Sequence, residues 1–198
     1  MSASFVLFIL VVAYRIAPGF LPAGSMDVLL NFSPISAIAL CGAVYFRGHS
    51  RWALPLSSIL LSDLILNAFV YDAPLIGAEM LVRYFAIGAV SILGTVVCKY
   101  CSHPLQSPTL LLASALGSFI FYITTNTAAW ATNPQYSPGL EGLIQALTIG
   151  IPGYPSTLWF YRQTILGDLA FTALVTASVW VANFRVARQP QKQLLAVS

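Results

Sequence analysis

Five ionisable side chains lie within or at the ends of strongly apolar stretches of the sequence. Asp63 and Asp168 are deep inside two of these stretches, and Arg15, Arg83 and Arg162 are near the ends of others. An ionisable group at membrane depth costs at least about 2.5 kcal/mol on insertion scales, so it normally faces a partner or a water-filled cavity. Two roles follow: Asp–Arg pairs that fix helix packing, or the floor and rim of a ligand cavity.

The depth of these groups favours the cavity. With a rise of about 1.5 Å per residue, Asp63 lies roughly 12 Å from the end of its stretch at Tyr71, and Asp168 roughly 13 Å from Trp159. The three arginines are nearer to the same ends, so all five charges occupy one side, which packing pairs alone do not require. In such a cavity the arginines would attract anionic groups, and the carboxylates would orient the ligand.

Amide and aromatic side chains extend this polar layer. Asn67 is four residues from Asp63 and therefore lies on the same helical face. An interfacial aromatic belt accounts for an isolated tryptophan at a helix end, but a buried amide needs hydrogen-bond partners. The candidate substrate-binding residues are Arg15, Asp63, Asn67, Arg83, Tyr122, Asn126, Trp130, Arg162 and Asp168.

The composition is that of a single integral membrane domain. The 198 residues are 58% hydrophobic and only 8% charged, whereas about a quarter of a soluble domain is charged. We predict an all-α membrane protein with about six transmembrane helices, in which residues 1–184 form one domain and 185–198 a basic cytoplasmic tail. The apolar windows that predict spans are 3–17, 33–48, 52–71, 81–100, 109–131 and 159–183.

The segment 132–158 cannot form one continuous helix, because it contains Pro134, Pro138, Pro152 and Pro155. Between these prolines, residues 139–151 are too few to cross a bilayer. We predict a short interfacial or re-entrant helix there.

Loop charges predict the orientation. Six of the nine Lys and Arg residues fall on one side of a six-span topology, which places that side and both termini in the cytoplasm. The first stretch has Arg15 after it and no cation before it, an arrangement that alone favours the opposite orientation. A cleaved signal peptide is a competing interpretation of this stretch, although it lacks a positive n-region.

The sequence predicts no catalytic, cofactor or metal site. It contains no GxSxG, HExxH or Walker A motif. Cys98 and Cys101 form a single CxxC, without the second pair that a zinc site needs or a thioredoxin-like pattern around it. The basic residues do not form a stripe, so nucleic acid is not an expected partner. The chain is therefore not expected to be an enzyme.

A set of short motifs resembles an uncharacterised family of small bacterial six-helix membrane proteins, a domain of unknown function. The resemblance covers roughly residues 10–175 and implies a location in the bacterial inner membrane, but it implies no activity. The chain departs from the family pattern at Gln145-Ala146 and Gly153-Tyr154. The motifs are Asn31-Phe32-Ser33-Pro34, Pro55-Leu56, Ser62-Asp63, Phe121-Tyr122, Thr125-Asn126, Trp130, Tyr136, Gly139-Leu140, Ile151-Pro152 and Gly167-Asp168-Leu169.

In size, span number and sidedness the chain is also similar to the S-components of energy-coupling factor transporters. Those proteins bind a vitamin or metal ion in an outward-facing cavity and dock on a membrane subunit driven by two ATPases. The leading hypothesis is therefore an S-component-like protein for uptake of a small polar micronutrient, with an ATPase-bearing partner. The alternatives are a structural or accessory subunit of a larger membrane complex, and a proton-coupled carrier that uses Asp63 and Asp168.

Overall fold

The computed structural model describes residues 12–20, 34–72, 77–100 and 108–195, with side chains as far as residue 181. Within these ranges every regular element is helical. Most of the predicted first span, the motif at Asn31, and Cys101 lie outside the described residues. The helices are α1 (residues 12–16, followed by a 3-10 turn at Ala17–Phe20), α2 (Ile35–Tyr45), α3 (Ser50–Phe69), α4 (Ala78–Tyr100), α5 (Thr109–Thr132), α6 (Leu140–Leu147) and α7 (Thr157–Leu195).

Within the described ranges, four helices are long and apolar enough to cross a membrane: Ser50–Phe69, Glu79–Tyr100, Thr109–Thr132 and Thr157–Val181. Large apolar side chains cover their outer surfaces, including Phe85 at 73% exposure and Leu112 at 70%. The interior, in contrast, contains buried serines, threonines and two aspartates. This distribution suits a bundle whose outer surface contacts lipid and whose polar groups find partners inside.

α2 is a short central helix. It has 11 residues, so it is about 16 Å long, roughly half of the ~30 Å hydrocarbon core. α3, α4, α5 and α7 all pack against it. The prediction of six full spans is therefore not confirmed, because the window 33–48 forms only this shorter helix. Pro34 precedes its first turn, and the extended backbone of Phe46 ends it.

α1 closes the ring of helices around α2 by lying between α3 and α7. Tyr14 makes an edge-to-face contact with Phe171 of α7, with ring centroids 5.0 Å apart, and Arg15 binds residues of α3.

α6 lies within the predicted segment 139–151. It is at the end of the bundle where α3 and α5 end and α7 begins. We call this end the α6 face.

Glycine allows the close approach of neighbouring helices to α2. A Cβ atom on Gly94 of α4 would lie 2.8 Å from the backbone oxygen of Leu40 and 2.8 Å from the Cβ of Ala43. A Cβ atom on Gly42 would lie 2.4 Å from the ring of Pro55 in α3. Ala43 is fully buried at the contact with Gly94, and Ala39, one turn earlier on α2, is fully buried too. Small residues therefore serve internal packing here, as small-xxx-small patterns do in other membrane bundles.

Two matched substitutions in α4 test this packing. Alanine raises helix propensity by about 1 kcal/mol over glycine, and a Cβ atom at Gly88 meets nothing within 4 Å. Gly88→Ala should therefore be neutral or stabilising. Gly94→Ala should lower the free energy of unfolding by about 1–3 kcal/mol, because backbone must move. Thermal unfolding in detergent measures both; equal midpoints for the two variants would contradict the close contact between α2 and α4.

Candidate functional site

Asp63 lies at the centre of an ion-pair cluster that joins three helices. Its carboxylate is 2% exposed, and Oδ1 accepts hydrogen bonds from Arg15 Nη2 at 2.6 Å and Arg83 Nη1 at 2.9 Å. Oδ2 accepts a hydrogen bond from the Tyr84 hydroxyl at 3.2 Å. Both carboxylate oxygens are thus engaged by the protein itself.

Arg15 attaches α1 to α3 through more than this ion pair. Its Nη1 donates to Ser62 Oγ at 2.7 Å and to the Ile59 backbone oxygen at 3.2 Å. The Arg15 side chain is 10% exposed, whereas that of Arg83 is 31% exposed. Charge-assisted hydrogen bonds of this kind are short and directional. The cluster therefore works as a clamp between α1, α3 and α4.

Asp168 forms the second buried carboxylate site, and it caps another helix. It is 0% exposed, and its Oδ1 accepts a hydrogen bond from the Ala37 backbone N–H at 2.9 Å. Ala37 is the third residue of α2, where backbone N–H groups lack partners within the helix. The residue at the N-cap position, Pro34, supplies no side-chain cap. Asp168 of α7 therefore supplies, from another helix, the hydrogen-bond acceptor that an N-cap side chain of α2 would usually supply.

Ser118 binds the other oxygen of the Asp168 carboxylate. Its hydroxyl donates to Asp168 Oδ2 at 2.6 Å and is itself fully buried on α5. Four residues earlier on α5, Ser114 Oγ is 2.9 Å from Thr172 Oγ1 of α7. Further along α7, Thr176 Oγ1 accepts a hydrogen bond from the Tyr45 hydroxyl at 3.1 Å. A buried row of polar contacts thus joins α7 to α2 and α5.

A separate pocket opens at the α6 face between α5, α7 and the loops beside α6. Its volume is about 550 Å³, within the range of small-molecule sites. Of the predicted residues, Tyr122 and Asn126 line it. The full lining is Phe121, Tyr122, Thr125, Asn126, Asn133, Gln135, Tyr136, Gly150, Ile151, Tyr154, Pro155, Thr157, Phe160, Tyr161 and Thr164.

Hydrogen bonds hold the wall formed by α5. The Tyr122 hydroxyl donates to the backbone oxygen of Leu147 at the end of α6, and the Tyr122 ring stacks on Tyr161 of α7 with centroids 4.4 Å apart. Asn126 Nδ2 donates to the Tyr122 backbone oxygen at 2.8 Å. Tyr122 therefore connects α5 to both other walls of the pocket.

The loop between α6 and α7 is tied at both ends. The Gly150 N–H donates to the Gln145 backbone oxygen at 2.8 Å, and the Leu158 N–H donates to that of Thr148 at 3.0 Å. Gly150 has φ +73°, and a Cβ atom there would lie 2.7 Å from Thr157 Oγ1. Glycine is thus needed at Gly150 for conformation and for space. These contacts give this side of the pocket a defined shape.

The pocket and the buried Asp168 are one helical turn apart. Thr164, which lines the pocket, precedes Asp168 by four residues, and Tyr122 follows Ser118 by four residues. Four residues correspond to about 6 Å along a helix axis. The contact between Ser118 and Asp168 therefore lies just beneath the pocket, where it fixes α5 against α7.

The nine predicted residues thus do not form one site, because they lie at several separate places in the structure. Arg15, Asp63 and Arg83 form the clamp. Asn67 lies one turn further along α3 with its Nδ2 3.9 Å from Met80 Sδ. Trp130 Nε1 donates to the Ser137 backbone oxygen at 3.2 Å outside the pocket lining. Arg162 is exposed and forms no ion pair or hydrogen bond with the residues that the structure describes.

Several aromatic residues that line the pocket were not among the predicted site residues. Tyr136, Tyr154 and Tyr161 line the pocket together with Phe160. A signal was present, since these rings flank a short helix between prolines rather than the ends of one long span. For metals, the described residues contain no group of three His, Cys, Asp or Glu side chains that could hold an ion.

The described residues form helices, four of them of membrane length, with two buried carboxylate sites and an uncharged pocket, and these features indicate a helical membrane protein. The chain belongs to a family of unknown function, DUF6580, which matches residues 1–192. No curated protein and no solved structure matches it. The family membership supports the resemblance to an uncharacterised family, whereas it does not show a relation to S-components.

Replacing Asp63 tests the clamp. Asp63→Asn removes the charge that compensates Arg15 and Arg83, so the free energy of unfolding should fall by about 3 kcal/mol, as when other buried pairs are broken. Asp72 is exposed and has φ +46°, a conformation that asparagine tolerates. The control Asp72→Asn should therefore change stability by less than about 0.5 kcal/mol. Denaturation in detergent that gives equal losses would contradict the clamp.

Two substitutions at Asp168 test the cap of α2. Asparagine can still accept from the Ala37 N–H, so Asp168→Asn should keep most of the stability. Asp168→Leu leaves the buried N–H of Ala37 without an acceptor, at about 1–3 kcal/mol, whereas the Ser118 hydroxyl can still donate to the Ser114 backbone oxygen at 3.0 Å. Thermal unfolding should rank the variants in that order, with amide exchange at the start of α2 fastest in Asp168→Leu. Equal exchange in the two variants would contradict the cap.

Proposed function

We propose that this protein binds a small molecule in the pocket at the α6 face and serves its uptake across a membrane, in the manner of an S-component. The pocket is the observation that carries the proposal. It has the volume of a ligand site, three separate elements form its walls, and hydrogen bonds between those elements fix its shape. Ligand sites in membrane bundles occupy such positions between helices.

The position of the pocket supports uptake in particular. With the α6 face outward, as the loop charges favour, the pocket would open to the exterior. The four membrane-length helices would then hold it at the edge of the bilayer. The sequence contains no Walker A motif, so active transport by this chain would require a partner that hydrolyses ATP.

The ligand contacts in this proposal differ from those that the sequence predicted. Tyr122 and Asn126 remain contact residues. Arg15, Asp63 and Arg83 support the helices instead, because their charged groups already bind one another. Asp168 supports the pocket from below through Ser118.

A second candidate is an accessory subunit of a larger membrane complex. One observation favours it: the charges of the Asp63 clamp are paired internally, as a purely structural role requires. In that case the pocket would have no ligand, and the protein would co-purify with a partner subunit.

Native mass spectrometry of the gently solubilised protein should detect a bound small molecule. Thr125→Phe should remove that mass, because Thr125 lines the pocket and the larger ring fills it. Thr132→Phe is a matched control on the same helix: both hydroxyls donate to a backbone oxygen one turn earlier, at 2.9 Å, but Thr132 lies outside the pocket lining. Both variants should retain the thermal stability of the unsubstituted chain.

A bound mass that persists in Thr125→Phe would contradict this pocket as the ligand site. A protein without bound ligand, associated with a stoichiometric partner subunit, would favour the accessory role.

A further inference from the structure

The pocket at the α6 face is unusually rich in aromatic side chains. Six of its fifteen lining residues carry an aromatic ring, and they come from α5, α7 and both loops beside α6. Rings on several sides of one cavity provide large, flat, rigid contact surfaces. The six are Phe121, Tyr122, Tyr136, Tyr154, Phe160 and Tyr161.

The rings of Tyr122 and Tyr161 are held in place before any ligand binds. They stack on each other at 4.4 Å with an interplanar angle of 30°. The hydroxyl of Tyr122 is anchored on Leu147, and Phe119 contacts Tyr161 edge-on, with centroids 6.3 Å apart. Side chains that are already ordered lose little entropy on binding. A third flat ring could therefore extend this stack at low cost.

The amides of the pocket offer both kinds of hydrogen bond. Asn126 uses its Nδ2 within α5, which leaves its side-chain oxygen as an acceptor. Asn133 uses its side-chain oxygen to accept the Gln135 N–H at 2.9 Å, which leaves its Nδ2 as a donor. The two amides thus offer one acceptor and one donor, which suits a ligand that carries both an N–H and a carbonyl, as a lactam does.

The lining selects against charge. All fifteen lining residues that the structure describes are uncharged, so an anion or cation would lose its hydration without gaining a counter-charge. A cation would gain only cation–π contacts with the rings, because the lining contains no carboxylate to pair with it.

We infer that the ligand of this pocket is a planar, uncharged heteroaromatic molecule with a lactam-like edge. Its rings stack against the tyrosine pair, and its polar edge meets the amides of Asn126 and Asn133. This inference rests on the proposed function, since it names the class of molecule that the pocket binds.

Fluorescence titration of the purified chain in detergent tests the class of ligand. The neutral probes are pterin and lumichrome, both flat and with lactam edges; the charged probes are pterin-6-carboxylate and choline, the latter followed by displacement of pterin. At pH 7 at least one neutral probe should bind, and pterin-6-carboxylate should bind about tenfold more weakly than pterin.

Tyr161 provides the site-specific readout. Tyr161→Leu should weaken binding of the neutral probe about tenfold, because it removes a stacking surface, while Tyr161→Phe keeps the ring and should bind as the unsubstituted chain does. Tyr71 is 60% exposed and lies outside the pocket lining, so Tyr71→Leu is a matched control that should not alter binding.

The outcomes separate this inference from the proposed function. If a Thr125-dependent mass co-purifies but only choline or pterin-6-carboxylate displaces it, the ligand class is wrong and the binding function stands. The ligand class is also wrong if the neutral probes bind equally well to Tyr161→Leu. If neither a co-purifying mass nor any probe binds at this pocket, both proposals are overturned.

Discussion

The hydrogen bond from the Ala37 N–H to Asp168 is the contact on which the arrangement of the bundle depends. α2 begins inside the protein, where Pro34, Ser36 and Ala37 are almost fully buried. A helix start without water leaves backbone donors unsatisfied, at a cost of several kcal/mol per group in hydrocarbon. Asp168 supplies the missing acceptor, and its negative charge also suits the positive end of the helix dipole. Once α2 is fixed at this depth, four longer helices can pack around it.

The two buried carboxylates thus stabilise the helix bundle in two different ways. Asp168 compensates for a helix that starts within the bundle. Asp63 joins three helices and supplies the counter-charge of Arg15, which is almost buried. Neither carboxylate lines the pocket. Close packing through Gly42 and Gly94 holds the middle of α2 against its neighbours, while the hydrogen bond to Asp168 holds its start.

The sequence predicted the long helices well, since hydropathy depends on local composition. The windows 52–71 and 109–131 differ from Ser50–Phe69 and Thr109–Thr132 by at most two residues at each end. The length of α2 was not predictable from apolarity, because a buried half-helix and a spanning helix are equally apolar. The partners of the buried carboxylates were not predictable either, because Asp63 is 48 residues from Arg15 and Asp168 is 131 residues from Ala37. Such pairings follow from the packing of whole helices, which no local pattern encodes.

The paired charges themselves argue for a neutral ligand site. A ligand that replaced Arg15 at Asp63 would leave the Arg15 guanidinium group, which is 10% exposed, without its counter-charge. The same holds at Asp168, where a ligand would have to take the place of Ser118 or uncap α2. The pocket at the α6 face requires no such exchange, because its rings and amides are held by contacts that a ligand need not break. A binding function in this bundle therefore belongs to the uncharged pocket, with both carboxylates supporting the helices around it.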